Sequence, residues 1–535
     1  MNTPPASPLA NEYLAWQQRR LKEALQLFTN SHQDPYGLLV DIYLFAWLHR
    51  EIQPPFRAVV LSLVLKESTP ELTKIILTNS STTTYIKELV KFRNRSDGLS
   101  VSSDEICDQW QKLNIFNHSY NESVRQIQTK QKLRSKEVGG ELDQERVALV
   151  DGLPDNFASN RPFAKVGFIP HMSCPANCRH CMFVWRQPMK SLPDPAPLLK
   201  IINAETSNIL FTGGDLTQHM PEFYRAIKEM GDIGLFAILL NGSIATSRTG
   251  AEALLQAIRQ ALKNRPKGFL AAEVILQISF DEYHQEIISD ENGQLKERIP
   301  VANIANLLIS SLNYPEIKLV LLHKQNRLNF SDNIVKYGVF SRLSKTLSSM
   351  GHPIASISWQ TSPRVKADPV NPGVEGGVIR DVFFTLQSHP DQTIQMMSSS
   401  IDAYGRAALL DPSEYINERN YLEHVLTNGP PAGDGFDIDP MVWYDGSVTL
   451  FSATHFWIGN LYREPEKVFA RYKKDPLLAA INRFDPTLLQ YYSQLHNDMK
   501  SLVKRATGPH HLFHQLTESA AMRLHLTKRL IESAP

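Results

Sequence analysis

Cysteine is scarce in this chain, with four among 535 residues, and three of the four lie within eight positions. So few cysteines, so unevenly placed, exclude a disulfide framework and indicate a reducing, cytoplasmic environment. The isolated one, Cys107, has no neighbour that would activate it, and we expect an ordinary structural thiol. No cysteine follows Cys181, so the rest of the chain offers no second set of thiolate ligands.

Excess charge is also lacking, because 56 Lys and Arg residues face 55 Asp and Glu residues and leave a net charge of +1. This balance argues against a nucleic-acid partner without excluding a peptide or a small molecule. Long apolar runs are missing too, since 36–48 contains Asp41 and 58–65 is too short to cross a bilayer. The first residues lack the charged and apolar segments of a signal peptide. We therefore expect a soluble protein with no membrane partner.

The clustered cysteines have the spacing Cys-x3-Cys-x2-Cys and follow an apolar run at 163–169. They are Cys174, Cys178 and Cys181. Thiolates are soft ligands that suit iron–sulfur clusters, zinc or copper(I). A closed zinc site needs four ligands, so His171 or His180 would have to complete it. Three cysteines on a cubane cluster leave one iron open, which is typical of a reactive site. The cluster is favoured at this point, while zinc and unliganded thiols remain alternatives.

The length of the chain predicts two or three domains. Apolar residues recur at helical spacing over much of 12–150, and 154–162 is rich in turn-forming residues. We expect a helical N-terminal domain over 1–155, a core over 160–370, and a C-terminal extension over 371–535 that is mixed and then helical.

Short apolar runs alternate with helical patterns after the cysteine loop, as in a parallel α/β sheet. The predicted strands are 207–212, 235–240, 273–278, 318–322 and 354–357, and the predicted helices are 222–230, 250–263 and 301–312. With the strand before the cysteines, about six strands predict an α/β fold with a partial, TIM-like (β/α)6 barrel, flanked by a helical N-terminal domain and an α+β C-terminal extension. Reactive groups in such folds lie at the carboxyl ends of the strands.

Polar or glycine-containing segments follow three of these strands directly. They are Gly213-Gly214-Asp215, Asn241-Gly242 and Ser279-Phe280-Asp281. Glycines let a backbone approach a ligand closely, and the polar groups can hydrogen-bond it. Each segment alone is explained equally well by a turn or a helix cap. Their order on successive strands indicates a single binding edge.

The cysteine spacing and the motifs that follow it resemble the radical S-adenosylmethionine (SAM) superfamily, over about 163–364. The resemblance implies one 4Fe–4S cluster held by Cys174, Cys178 and Cys181, with SAM chelated to the open iron. Reductive cleavage of SAM then yields a 5′-deoxyadenosyl radical that abstracts a substrate hydrogen. It further implies an external one-electron donor such as flavodoxin or ferredoxin.

The resemblance also implies SAM contacts after the second and third strands. Gly213, Gly214 and Asp215 stand where the family has Gly-Gly-Glu near the SAM amino group, although aspartate is one methylene shorter and Leu216 replaces the usual proline. Asn241 corresponds to a Thr-Asn-Gly segment near the ribose and carboxylate of SAM.

Two further positions resemble features of the family. Ser279 and Asp281, followed by His284, resemble the Ser-x-Asp segment of peptide-modifying members, in which the serine often contacts SAM. His180 takes the position of an aromatic residue that packs on the adenine. If zinc were bound instead, His180 would be the candidate fourth ligand.

Beyond the core, 443–451 and 458–465 resemble the C-terminal extension of peptide- and protein-modifying radical SAM enzymes, of the SPASM or twitch type. Phe451 stands where a cysteine would be, so a cysteine-ligated auxiliary cluster is excluded. A plain β-hairpin with an Asp-Gly turn explains 443–451 equally well. His510 and His514 have a metal-binding spacing, but no acidic ligand accompanies them, and a surface helix end is the preferred interpretation.

These observations predict a radical SAM enzyme with one cluster that modifies a peptide or protein side chain. An alternative is a radical SAM enzyme acting on a small-molecule metabolite. From another class, a non-catalytic zinc-binding α/β protein would also explain the three cysteines, and analysis for iron, sulfide and zinc separates these possibilities.

Overall fold

The computed structural model describes Phe45 and residues 70–79, 82–96, 98, 100–112, 137–183, 194–289, 295–325, 333–336, 338–362, 378–410, 415–416 and 418–534. Most of the helical pattern predicted before residue 70 lies outside these residues. None of the helices in the described ranges is long and apolar enough to cross a membrane.

Within the described ranges, one sheet of eleven strands organises the structure, and a separate two-stranded ribbon accompanies it. The strands are β1 (Val166–Ile169), β2 (Asn208–Phe211), β3 (Leu235–Leu240), β4 (Glu273–Ser279), β5 (Ile287–Ser289), β6 (Leu295–Glu297), β7 (Ile317–Gln325), β8 (Ile354–Ser362), β9 (Val378–Leu386), β10 (His389–Ser400), β11 (Pro440–Trp443), β12 (Ser447–Leu450) and β13 (Gly459–Asn460). The order in the large sheet is β13-β12-β11-β1-β2-β3-β4-β7-β10-β9-β8, and β5 pairs with β6 in the ribbon.

Six neighbouring strands, β1, β2, β3, β4, β7 and β10, run parallel. Strands buried on both faces read as continuous apolar runs, as in β1 with its sequence Val-Gly-Phe-Ile. The large sheet is open, since it ends at the edge strands β13 and β8. This arrangement confirms the predicted α/β class and the partial (β/α)6 framework.

The last of the predicted parallel strands takes a different place. The run at 354–357 does begin a strand, β8, but that strand pairs antiparallel with β9 at the edge of the sheet. Its residues 355–361 are all exposed, so β8 has no apolar face to bury in the core. β10 has buried Ile394 and Met396, and it takes the sixth parallel position beside β7.

Helices connect and cover the strands. They are α1 (Pro70–Thr78), α2 (Thr82–Ser96), α3 (Ser103–Lys112), α4 (Glu141–Asp151), α5 (Ala196–Glu205), α6 (Met220–Glu229), α7 (Arg248–Lys263), α8 (Val301–Ser311), α9 (Asn333–Lys336), α10 (Gly338–Ser349), α11 (Arg419–Asn428), α12 (Pro465–Lys474), α13 (Pro476–Asn482), α14 (Thr487–Tyr492), α15 (Met499–Arg505), α16 (Pro509–Leu516) and α17 (Ala520–Glu532). α7 illustrates why they form: Ser247 caps its first turn, and Leu254, Leu255 and Ile258 lie buried at helical spacing. The helices predicted between the core strands are confirmed as α6, α7 and α8.

The C-terminal extension continues the core sheet. β11 pairs parallel with β1, and β11 and β12 form the hairpin expected from the Asp-Gly turn, with Gly446 at φ 79°. Phe451 packs on the backbone of β1, where a Cβ added to Gly167 would lie 2.5 Å from its ring. An apolar contact therefore occupies the position where the resemblance would place a cluster ligand.

α4 packs on the C-terminal helices α12 and α17. Two fully buried ion pairs join them: Arg146 Nη1 lies 2.6 Å from Asp475 Oδ2, and Arg523 Nη2 lies 2.7 Å from Asp143 Oδ2. We call these four residues the clamp. The boundaries of the predicted domains stay a prediction, but the clamp ties the segment before the core to the end of the chain.

Candidate functional site

The cysteine loop begins directly after β1, at the carboxyl end of the parallel strands. A buried ion-pair network holds its backbone. The Arg298 guanidinium donates to the carbonyl oxygens of Ala176 and Asn177, and the Glu286 carboxylate accepts from Arg298 at 2.8 Å and from Arg179 at 3.0 Å. These contacts fix the loop by two carbonyl oxygens and by the Arg179 side chain, not by its sulfurs.

A second segment, which follows β10, closes over the other end of the loop. The Arg406 backbone N–H donates to the Cys181 carbonyl at 2.8 Å, and its side chain donates to Asn177 Oδ1 at 3.0 Å. Gly405, at φ 63°, lies so close that an added Cβ would be 2.6 Å from the Cys181 carbonyl oxygen. Only glycine fits this crossing without moving the loop.

All three thiols are free of disulfides, with Cys178 buried and Cys174 and Cys181 half-buried. Burial raises the pKa of Cys178 far above its usual value and also raises the pKa of Cys174, while the charge of Arg298 opposes the shift at Cys178. The Phe183 N–H donates to Cys181 Sγ at 3.4 Å, a contact that stabilises a thiolate. A bound metal would replace the thiol protons.

A single zinc ion fits the loop poorly. Tetrahedral zinc holds its sulfurs about 3.8 Å apart, but among the described residues the three sulfurs do not converge even within 4.8 Å of one another. Both ring nitrogens of His171 are engaged, since Nδ1 accepts from Ser173 N–H at 3.2 Å and Nε2 donates to the Asp215 carbonyl at 2.8 Å. A fourth zinc ligand from His171 would require breaking these bonds.

The glycines after β2 pack against the cysteine loop. A Cβ added to Gly214 would lie 2.4 Å from the Ser173 carbonyl oxygen, and one added to Gly213 would lie 2.8 Å from the His171 carbonyl oxygen. The Asp215 N–H donates to the Ser173 carbonyl at 2.9 Å. Small residues are therefore needed here for contact between the loop and the end of β2.

The Asp215 side chain links the ends of β2 and β3. Its Oδ1 accepts from the Thr217 N–H at 3.0 Å and from the Thr217 hydroxyl at 2.6 Å, and its Oδ2 accepts from the Ser243 hydroxyl at 3.1 Å. Asn241 Oδ1 in turn accepts from the Ser243 N–H at 2.8 Å. The structure thus brings two predicted SAM-contact segments together at one edge.

After β4, Asp281 lies between two histidines. Its Oδ2 is 3.2 Å from His180 Nε2 and 3.0 Å from His284 Nδ1, and its Oδ1 accepts from the backbone N–H groups of Tyr283 and His284 at 2.9 Å. The His180 ring stacks on Tyr283 at 4.7 Å between centroids. Ser279, the other predicted contact at this strand end, is buried. We call His180, Asp281 and His284 the histidine–aspartate cluster.

Burial and mutual contact set the charges in this cluster. Burial lowers the pKa of His180, so its imidazole is neutral near pH 7 and donates Nε2–H to the carboxylate. Burial alone would raise the pKa of Asp281, but the adjacent His180 and His284 hold it well below its usual range. The carboxylate is ionised and fully oriented by its donors.

Sequence reasoning missed His323, which lies on β7 beside the end of β4, where the Phe280 N–H donates to the Leu322 carbonyl at 2.8 Å. Burial lowers the pKa of His323 to about 4, and its Nε2 has no hydrogen-bond partner. The signal was a polar residue directly after the predicted strand at 318–322.

The C-terminal histidines do not form a metal group. His511 Nδ1 accepts from the Thr507 N–H at 3.2 Å, and His514 stacks on Tyr404 at 4.2 Å. His511 and His514 are buried and His510 is half-buried, so the expectation of a surface helix end is wrong. Phe513 and Leu516 of α16 are fully buried and bring the helix inside.

No protein-family profile and no curated protein sequence matches this chain. Among solved structures it is similar to native anSMEcpe with bound AdoMet, at 11% identity and a TM-score of 0.34, over 69% of this chain and 99% of that one. It is also similar to SuiB of Streptococcus suis bound to S-adenosylmethionine, at 11% identity and a TM-score of 0.30, over 88% of this chain and 91% of that one. Both likenesses are remote.

Proposed function

We propose that this chain is a radical SAM enzyme that uses one 4Fe–4S cluster. Cys174, Cys178 and Cys181 would hold the cluster, which would leave one iron open for the amino and carboxylate groups of SAM. When bound, the cluster supplies the electron that cleaves SAM reductively. The protein's part is to hold the loop, orient SAM and exclude solvent.

The observation that carries this proposal is the cysteine loop itself. Three thiols that do not converge on a single-ion spacing suit a cluster with several irons better than one zinc ion. The loop backbone is tied down by Arg298 and Arg406, whose positive charges also offset the negative charge of three thiolates. All three proposed ligands come from one loop, so no ligand from elsewhere in the described chain is needed.

SAM would lie along the carboxyl ends of β1 to β4. Backbone groups at Gly213 and Gly214, together with Asp215, lie directly against the cysteine loop, and Asn241 is linked to Asp215 through Ser243. We place the SAM amino group at the first three residues and the ribose and carboxylate near Asn241.

The remaining SAM contacts would come from the segment after β4 and from the cysteine loop. We assign Ser279 and Asp281 to this group of contacts, and we place the adenine near His180. One face of the His180 ring already stacks on Tyr283, so stacking of adenine would use the opposite face.

For the substrate we propose a peptide or protein side chain, with a small-molecule metabolite as the alternative. The support is the Ser-x-Asp segment after β4 and the hairpin of β11 and β12, which extends the core sheet beside the cysteine loop. We further propose a cytoplasmic location and an external one-electron donor such as flavodoxin or ferredoxin.

The test is formation of 5′-deoxyadenosine by the anaerobically reconstituted full-length protein, given SAM and a strong reductant. We expect product from the wild type and none from Cys178→Ala, with iron and sulfide bound only by the former. Cys107→Ala is the matched control, because it removes a thiol outside the loop, and it should retain both. Zinc without iron or sulfide would contradict the proposal and favour a non-catalytic zinc-binding protein.

A further inference from the structure

The histidine–aspartate cluster has the composition of a metal site that is separate from the three thiols. Its ligand atoms are two imidazole nitrogens and one carboxylate oxygen, and all lie within 4.8 Å of one another. In the part of the chain that the structure describes, no other group of three such side chains converges in this way. Two histidines and one carboxylate are a ligand set that proteins use for zinc and for iron(II).

The distances fit a single ion. Ligands at 2.0–2.2 Å from a tetrahedral zinc ion lie about 3.4 Å from each other. The observed separations from Asp281 Oδ2 are 3.2 Å to His180 Nε2 and 3.0 Å to His284 Nδ1. The two rings are perpendicular, with centroids 4.7 Å apart, so their nitrogens approach the oxygen from different directions. An ion could replace the two shared protons with only small movements of the side chains.

Hydrogen bonds from neighbouring groups fix the orientation of the Asp281 carboxylate. Asp281 Oδ1 is occupied by the backbone N–H groups of Tyr283 and His284, which leaves Oδ2 directed at the histidines. The Asp281 N–H donates to Gln285 Oε1 at 2.9 Å and fixes the backbone as well. Partners that orient a ligand in this way are a regular part of metal sites.

A further buried histidine lies on the neighbouring strand. His323 is 1% exposed, its Nδ1 is 3.4 Å from the Ser398 hydroxyl, and its Nε2 is buried without a hydrogen-bond partner. A buried imidazole nitrogen without a partner costs free energy unless a ligand satisfies it. His323 does not belong to the convergent group, so it is a buried neighbour of the site and not one of its ligands.

We propose that His180, Asp281 and His284 bind one divalent transition-metal ion, such as Zn²⁺ or Fe²⁺, independently of the thiol-bound cluster. The ion would occupy the edge of the His180 ring, whereas adenine would stack on its face, so the two roles are compatible. Three protein ligands leave a coordination position for a carboxylate or carbonyl oxygen of the substrate.

The experiment uses the full-length chain with all three loop cysteines replaced by serine, so that no thiolate competes. This protein is titrated with Co²⁺ and with Zn²⁺ by equilibrium dialysis. We expect one equivalent of either metal, with a Co²⁺ absorption spectrum that lacks sulfur-to-cobalt charge transfer. The same titration of the cluster-loaded wild type, whose thiols are occupied, should also give one added equivalent.

The variants His284→Ala and Asp281→Asn test the ligands. Each should weaken binding at least about 100-fold, since changes to outer partners alone cost 10–100-fold. Asp281→Asn keeps an oxygen for the two backbone N–H groups, and circular dichroism without metal checks that both variants fold. His219→Ala is the matched control, because His219 lies beside Glu222 and His171 without forming a convergent group. Absence of binding tighter than about 100 µM, or binding that survives both ligand changes, would overturn the proposal.

Discussion

Two buried polar clusters in this molecule, the clamp and the histidine–aspartate cluster, differ in how their charged and polar groups pair. In the clamp, Arg523 binds both oxygens of Asp143, at 2.9 and 2.7 Å, and donates to two carbonyls as well. Arg146 lies over the Phe456 ring while it pairs with Asp475. The Arg523 guanidinium fork matches the Asp143 carboxylate in geometry, whereas Arg146 donates one N–H to Asp475 and another to the Trp457 carbonyl, and its Nε is buried without a partner.

The histidine–aspartate cluster contains no guanidinium group, and its carboxylate is shared between two imidazoles. His180 Nδ1 and, beside it, His323 Nε2 are buried without hydrogen-bond partners. Two imidazoles also share a single carboxylate oxygen, where the clamp places one guanidinium on each carboxylate. Carboxylates paired one to one with guanidinium groups serve stability, whereas imidazoles that share one carboxylate oxygen can bind a metal ion together with that oxygen. The following predictions test this distinction.

Removing one partner of the clamp should give the largest loss of stability. In Asp143→Ala, Arg523 stays fully buried without its carboxylate, and we expect the free energy of unfolding to fall by about 3–5 kcal/mol. Chemical denaturation of the wild type and the variant measures this.

The matched control is Glu141→Ala, at an exposed position of the same helix, which should change stability by less than about 0.5 kcal/mol. The double variant Asp143→Leu with Arg523→Met should recover most of the loss, because an apolar pair replaces a buried ion pair without leaving a charge. If Asp143→Ala lowers the free energy of unfolding by less than about 1 kcal/mol, the clamp does not contribute appreciably to stability.

Buried histidines in the C-terminal region should make the fold sensitive to acid. Burial lowers the pKa of His511 to about 4, with Arg505 acting in the same direction and Asp402 opposing it. The unfolded state therefore takes up a proton near pH 6.5, before the folded state does. Stability from this group is complete above pH 6.5 and is lost as the pH falls toward 4, by about 3 kcal/mol in all.

Denaturant unfolding at a series of pH values between 7 and 4 tests this expectation. His511→Gln should lose less stability over that range than the wild type, because the variant has no imidazole to protonate. His424→Gln, a change at an exposed histidine of α11, is the matched control and should follow the wild type. Equal pH dependence in His511→Gln and the wild type would contradict the prediction.

Much of the core could be predicted from sequence because its signals are local. β3 (Leu235–Leu240) coincides with an uninterrupted apolar run, and the cysteine loop is a contiguous motif. The clamp leaves no local signal, since Arg146 and Asp475 are 329 positions apart. β8 was assigned to the wrong place because a short apolar run does not reveal whether both faces of a strand are buried.

In the candidate site, too, local features could be predicted from the sequence, whereas contacts between distant segments could not. The polar residues after β2, β3 and β4 could be located by their position at strand ends. The sequence did not reveal that Arg298 and Arg406 hold the cysteine loop, because both come from distant segments and contact backbone atoms. Every residue has a backbone carbonyl oxygen, so the sequence does not show which one accepts such a hydrogen bond.

The close contact between the end of β2 and the cysteine loop gives a prediction about the candidate site itself. In Gly214→Ala the new Cβ would lie 2.4 Å from the Ser173 carbonyl oxygen, so the backbone must shift. We expect a loss of about 1–3 kcal/mol in the free energy of unfolding, accompanied by weaker SAM binding. Gly250→Ala is the control, since its Cβ has ordinary spacing, 3.4 Å, to Ile244 and Ser247; it should leave SAM binding unchanged and should not lower stability, because alanine is favoured over glycine in a helix. Normal SAM affinity in Gly214→Ala would show that this contact does not contribute to SAM binding.

The smallest effect belongs to an ion pair that joins the same two helices as the clamp. Lys528 Nζ of α17 lies 2.7 Å from Glu145 Oε1 of α4, the same distance as that between Arg523 Nη2 and Asp143 Oδ2. The Lys528 and Glu145 side chains, however, are 44% and 50% exposed. Water screens the exposed pair, and ordering two long side chains costs entropy, so Lys528→Ala should lower stability by less than about 0.5 kcal/mol. A double-mutant cycle with Glu145→Ala isolates the pair. A coupling above about 1 kcal/mol would mean that contact distance, not burial, separates the clamp from the surface pair.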